Sequence, residues 1–139
     1  MAGFDAAGVA RSLERVRDRI AAAGGDESVA VLAVTKGFGR EAVEAALAAG
    51  CTAIGENYAQ ELLAKREALA PAEVHFIGQL QTNKVRQLAG VVDVYETVDR
   101  PRLAAEIGRR QPGDRVLVQV DTAGEPGKGG CPLDELDSL

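Results

Sequence analysis

Lys36 follows almost directly on a run of six apolar residues, Val29-Ala30-Val31-Leu32-Ala33-Val34, with only Thr35 between. A lysine leaving a buried strand can be partly desolvated, which favours the neutral amine and frees it to attack a carbonyl. The product of that attack is a Schiff base. The plainer alternative is a strand-end lysine whose ammonium reaches water, and on position alone this is the commoner outcome. Lys84 and Lys128 compete for the same chemistry. Lys84 falls inside an expected helix and Lys128 in a Gly-rich loop, so neither is held as firmly as Lys36.

The remaining polar candidates also follow apolar runs. Asn57, after Gly55-Glu56, could hydrogen-bond a bound ring, with the glycine allowing close backbone approach, or it could simply start the next helix. His75 is the single histidine and alternates with Val74 and Phe76, a pattern that suits a satisfied interior histidine better than a catalyst. Gln81-Thr82-Asn83-Lys84 opens a helix whose unpaired N–H groups favour an anion, although plain capping by Thr82 explains the same spacing. Gly124 to Gly130 lacks the GxxxxGK[ST] pattern of a nucleotide-binding loop and reads as a mobile connector.

The elements that must position these residues recur as strand, turn and helix. Apolar residues at Val9, Leu13, Val16 and Ile20 predict a helix over Asp5 to Ala23, ended by Gly24-Gly25. The run at 29–34 predicts a strand buried on both faces. Further strands are expected at Thr52 to Gly55, Val74 to Ile77, Val91 to Tyr95 and Val116 to Val120. Helices are expected at Arg40 to Ala49, Ala59 to Leu69, Thr82 to Ala89 and from Pro101, followed by a polar tail, Asp121 to Leu139. This alternation predicts an α/β fold with right-handed crossovers and a parallel sheet. It leaves open a doubly wound sheet or part of a (β/α)₈ barrel. A full barrel takes about 250 residues, so five units imply an incomplete one, either a truncated chain or one that needs a partner segment.

Composition narrows the classes. The chain has 139 residues, 46% of them hydrophobic, which supports a single domain over 1–139. A net charge of −5 without basic runs argues against nucleic acid, and 4% aromatic content with no Trp supplies no stacking platform. The opening Met1-Ala2-Gly3-Phe4-Asp5 does not resemble a signal peptide and no segment reaches membrane-spanning length, so a cytoplasmic protein without membrane contact is expected. Cys51 and Cys131 stand far apart without metal-ligand spacing, so both are expected reduced and no metal is expected.

Three segments together carry a resemblance. They are Ala33-Val34-Thr35-Lys36, Ile54-Gly55-Glu56-Asn57-Tyr58-Ala59-Gln60-Glu61 and His75-Phe76-Ile77-Gly78-Gln79-Leu80-Gln81-Thr82-Asn83-Lys84, continued by Thr97-Val98-Asp99-Arg100, Val118-Gln119-Val120-Asp121 and Lys128-Gly129-Gly130. On these the chain resembles the YggS/PROSC family of pyridoxal 5′-phosphate (PLP) homeostasis proteins. The resemblance implies a barrel like the N-terminal domain of alanine racemase, with PLP as cofactor carried as a Schiff base on Lys36. It implies that Asn57 and the segment from His75 to Gly78 line the pocket, and that the protein is a non-catalytic, monomeric carrier or regulator of PLP. Family members continue through a Ser-Met-Gly-Met-Ser-like turn and a Val-Arg-Ile-Gly-like segment that grip the phosphate and address the pyridine nitrogen, and neither occurs in these 139 residues. The competing expectations are a racemase-like enzyme, which would need a second acid/base residue facing Lys36, usually a tyrosine from another domain, where this chain offers only Tyr58 and Tyr95, and a fragment that no longer binds PLP and pairs its open edges with a partner chain.

Overall fold

A computed structural model describes residues 5–139; Met1 to Phe4, part of the segment read above for a signal peptide, lie outside the described residues. Helix α1 spans Ala6–Ala22 and starts where the Asp5 carboxylate accepts from the N–H groups of Ala7 and Gly8, both at 3.1 Å. The alternation then runs β1 Leu32–Val34, α2 Arg40–Ala48, β2 Ala53–Glu56, α3 Ala59–Ala64, α4 Arg66–Leu69 and β3 Glu73–Phe76. A 3₁₀ turn, Thr82–Lys84, leads into α5 Val85–Leu88, followed by β4 Val94–Val98, α6 Pro101–Arg110 and β5 Arg115–Val118. Pro101 stands in the first turn of α6, where its missing N–H would have had no helical partner.

The five strands form one parallel sheet in the order β1-β2-β3-β4-β5. A doubly wound sheet reverses its order at a switch point, so a strictly sequential order is the barrel type of winding. Right-handed crossovers between successive neighbours put the helices on one side. There Leu13, Val43, Leu62, Leu69, Leu88, Leu103 and Ile107 pack on Ile54, Val74, Phe76, Tyr95 and Val98 as one core. The sheet is not closed: β1 and β5 are its edges, and among the described residues its other face, the inside of a barrel, carries no layer of helices.

That open face corrects the expectation that the first strand is buried on both sides. Val34 is 46% exposed, and Val29 to Val31 lie outside the strand. For the same reason Val116, Leu117 and Val118 of β5 are all exposed, since no following helix or strand covers them. The stripe on α1 is likewise only partly covered: Leu13 is buried against the core while Val16 is exposed.

Other boundaries moved for local reasons. The fourth strand begins at Val94 rather than Val91, because the N–H groups of Val91 and Val92 close the preceding turn on the Leu88 carbonyl, leaving Val92 in the core. The expected helix from Ala59 to Leu69 breaks at Lys65, which ends α3 and starts α4. The tail is not featureless. Val120–Asp121 (β6) pairs with Cys131–Pro132 (β7), and a 3₁₀ turn covers Leu133–Ser138. The connector between them is pinned at its far end, where the Gly130 N–H donates to Asp99 Oδ2 at 3.2 Å and Gln119 Nε2 donates to the Gly129 carbonyl at 3.1 Å.

Candidate functional site

Register decides which residues meet at the carboxyl ends of the strands. Val34 pairs with Gly55, and Gly55 with His75. Ladder bonds continue past the strands, from the Thr35 N–H to the Gly55 carbonyl at 3.1 Å and from the Ile77 N–H to the Glu56 carbonyl at 2.9 Å. Side chains alternate between faces, so Thr35 and Glu56 turn toward the helices, while Val34, Gly55 and His75 face the open side. Just past the strand ends come Lys36, Asn57 and Ile77. Lys36 is exposed, so the expected partial desolvation of its amine is not found, because no layer covers the open face at the end of edge strand β1, and Asn57 is half-buried. Below them Gly55 is closely packed, since a Cβ there would lie 3.1 Å from the Leu32 side chain and 3.3 Å from that of Ile77, and both would have to shift slightly.

Asn57 and Gly78 are brought into direct contact. A Cβ on Gly78 would sit 1.9 Å from the Asn57 carbonyl oxygen, so only glycine lets these two strand ends approach. The Gly78 carbonyl in turn accepts from the Thr97 hydroxyl on β4. Asn57 is not a helix cap, since α3 starts after Tyr58 with no side-chain cap bond, and Thr82 does not cap its 3₁₀ turn either. Instead Arg100 ties that turn to the end of β4, donating to the Leu80 carbonyl at 2.7 Å and pairing with Asp99 at 2.6 Å.

His75 is not gathered at the rim with Lys36, Asn57 and Gly78. It sits one step lower on the open face with its Nδ1 2.5 Å from Glu96 and its Nε2 2.8 Å from Glu73. Arg115 on β5 donates to the other oxygen of Glu73, so one row of charge crosses β3, β4 and β5. The Arg115 guanidinium first, and His75 second, hold the Glu73 carboxyl below its ordinary value. A neutral imidazole can donate to one of its two carboxylates, and the protonated ring to both.

The competing lysines are otherwise occupied or placed. Lys128 pairs with Glu125 at 2.5 Å in the connector, and Lys84 lies half-buried in the 3₁₀ turn. Tyr95, one of the two tyrosines a racemase would draw on, is buried on the helix side, where burial and then Asp114 push its hydroxyl well above the ordinary tyrosine range. A cavity of about 840 Å³ lies at the other end of the sheet, between α1 and the amino ends of β1 to β3, and its lining contains no lysine. Among the described residues no group of three His, Cys, Asp or Glu side chains could hold a metal, and no helix is long and apolar enough to cross a membrane.

Sequence reasoning missed Lys65. Its side chain is 5% exposed, and its ammonium donates to Glu56 Oε1 at 2.7 Å and to the Thr35 carbonyl at 2.9 Å. The signal was present: Leu62, Lys65 and Leu69 share one helical face, so a lysine sits in a stripe of core leucines. Such a lysine has to be paired.

Comparison with known proteins places this arrangement. The model of the alanine racemase N-terminal domain matches residues 5–139. The pyridoxal phosphate homeostasis protein of Pseudomonas aeruginosa is 38% identical over 138 residues, covering 94% of this chain and 60% of its own length. The chain thus spans about 60% of the length of that curated relative. The structure of PipY from Synechococcus elongatus with PLP bound superposes with a TM-score of 0.78 at 30% identity, covering 94% of this chain and 63% of that one. Alanine racemase from E. faecalis shares the fold, with a TM-score of 0.70 at 20% identity over 92% of this chain and 35% of that one.

Proposed function

The chain belongs to the alanine racemase N-terminal domain family, in its YggS/PROSC branch, and from that premise we propose that it holds PLP through Lys36 and serves PLP homeostasis in the cytoplasm without catalysing a reaction. The observation that carries the reading is the position of Lys36: an accessible amine just past the carboxyl end of β1 in a barrel-type sheet, two residues beyond the Val34–Gly55 pair, as Asn57 is on the neighbouring strand. Active sites of barrels are built at that end. Held there, PLP would supply an aldehyde with which the Lys36 amine can condense, releasing water, and an electron-withdrawing ring.

The chain's residues fit the aldehyde and ring sides of such a ligand. Asn57 and the backbone at Gly78 would border the ring, Leu32, Gly55 and Ile77 supply an apolar floor, and His75 lies beneath as a fixed residue rather than a mobile base. The phosphate-gripping segments implied by the resemblance do not occur in these residues, which supply the aldehyde and ring sides alone. Of this chain's own tyrosines, Tyr95 is sealed on the far side of the sheet from the proposed site, and Tyr58 is 56% exposed at the start of α3.

The test is reduction with borohydride in the presence of PLP, followed by peptide mapping. The label is expected on Lys36 and absent from Lys36→Ala. A label found chiefly on Lys84 or Lys128 would sink the assignment. Loss of deuterium from the α-carbon of alanine, catalysed by the chain, would overturn the non-catalytic reading.

A further inference from the structure

Two peptide planes meet at the Cα of Lys36, and each takes a hydrogen bond from one cluster of charged side chains. The plane before it carries the Thr35 carbonyl, which accepts from Lys65 Nζ at 2.9 Å and, across the turn, from the Phe38 N–H at 3.3 Å. The plane after it carries the Gly37 N–H, which donates to Glu61 Oε2 at 2.8 Å. Lys65 joins the two ends: it pairs with Glu56 Oε1 at 2.7 Å and stands 4.0 Å from Glu61 Oε2. Glu56, fully buried, also accepts from the Thr35 hydroxyl through the same oxygen, while its other oxygen has no partner.

The orientation of those planes is, by definition, φ and ψ of Lys36, and these set the direction of its Cα–Cβ bond. Lys36 lies two residues past the end of edge strand β1 and precedes Gly37 at φ +78°, in a turn whose own closing bond, from the Phe38 N–H to the Thr35 carbonyl, is long at 3.3 Å. An ion pair in the core is a poor way to gain stability, because desolvating two charges offsets most of their attraction. It is a good way to fix a direction, because a buried charge cannot leave its partner without a large penalty.

We infer that Lys65, Glu56 and Glu61 form a positioning clamp that aims Lys36 into the open face of the sheet. Lys65 is thus a second functional lysine that never touches the ligand. The inference rests on the reading of Lys36 as the reactive amine. The clamp itself exists with or without a cofactor, which makes the two separable.

The experiment uses the whole chain and two readouts. Without PLP, amide hydrogen exchange at Gly37 and the three-bond HN–Hα coupling of Lys36, which reports φ, are measured in wild type, Glu61→Ala, Glu61→Gln and Lys65→Met. Removing a hydrogen bond to a charged acceptor is expected to raise Gly37 exchange by about tenfold or more in Glu61→Ala, with exchange in the β3 core unchanged. Glu61→Gln, which keeps an acceptor oxygen, restores most of the protection. With PLP, borohydride labelling at Lys36 slows in Glu61→Ala and Lys65→Met relative to labelling of Lys84 and Lys128. Glu61 is partly exposed, so its variants carry the test if Lys65→Met fails to fold. Unchanged Gly37 exchange and Lys36 coupling in Glu61→Ala would overturn the clamp, as would a uniform rise in exchange across the chain. Absence of any Lys36 label in wild type would instead overturn the cofactor reading, and the clamp would still stand or fall on its own amide.

Discussion

Two glycine-to-alanine substitutions of identical chemistry should move stability in opposite directions. At Gly78 the added methyl would lie 1.9 Å from the Asn57 carbonyl oxygen, 2.7 Å from its carbon and 3.0 Å from its Cα. All three are backbone atoms, so no side-chain rotation relieves the clash, and the end of β2 must retreat from the end of β3 by about 1.5 Å to reach ordinary contact. Overpacking of this kind costs about 3 kcal/mol, reduced by up to about 1 kcal/mol because alanine also restricts the unfolded chain. For a domain of this size the net loss of about 2 kcal/mol lowers Tm by roughly 6–8 °C. At Gly108, inside α6, nothing lies within 4 Å of the added Cβ, and alanine should raise stability by about 0.5–1 kcal/mol through helix propensity. Thermal unfolding followed by circular dichroism reads both. If Gly78→Ala melts within 2 °C of wild type, the close approach of Asn57 and Gly78 is wrong, and with it the joining of those two residues in one site.

Three further outcomes follow from the same structure. Lys65→Met strands the Glu56 carboxylate in the core and should cost about 3–5 kcal/mol in urea unfolding, whereas Glu56→Gln combined with Lys65→Met should recover at least half of that; a single variant within 1 kcal/mol of wild type would contradict the buried pair. Because Arg115 and His75 hold the folded Glu73 carboxyl below its ordinary 4.5, its stabilising contribution is complete above that value and is lost as pH falls through the lower folded one; Glu73→Gln should therefore flatten the acid limb of stability against pH, and an acid limb as steep as that of wild type would contradict the pairing. Burial pushes both the Cys51 and Cys131 thiols up, with Glu135, Asp99 and Asp134 adding to the effect at Cys131, so native-state reaction with a thiol reagent at pH 8 should be slower on the order of tenfold than in the urea-unfolded chain; equal rates would show that these thiols are open to solvent.

Much of the local architecture was legible in the residues. Apolar runs and glycine stops locate the strand–helix units because strand and helix periods are properties of neighbouring residues, and Lys36 stands out because it ends such a run. The misplaced start of β4 marks the limit of that method: Val91 and Val92 look like strand, yet the turn on Leu88 claims their N–H groups. The exposed face of β1 marks another, since an apolar run does not say whether a second layer covers it.

By itself, the sequence determined that parallel β/α units would form and that an amine would emerge after the first strand, because both depend on short-range pattern and chain connectivity. Only the tertiary structure decided that the strands lie in sequential order, that Gly78 meets the Asn57 carbonyl, that His75 is held between Glu73 and Glu96, and that Lys65 reaches back 30 residues to the Thr35 carbonyl. Each of these joins groups far apart in the chain, and their meeting is set by the register of strands and the packing of helices. No periodicity within a single segment encodes that meeting.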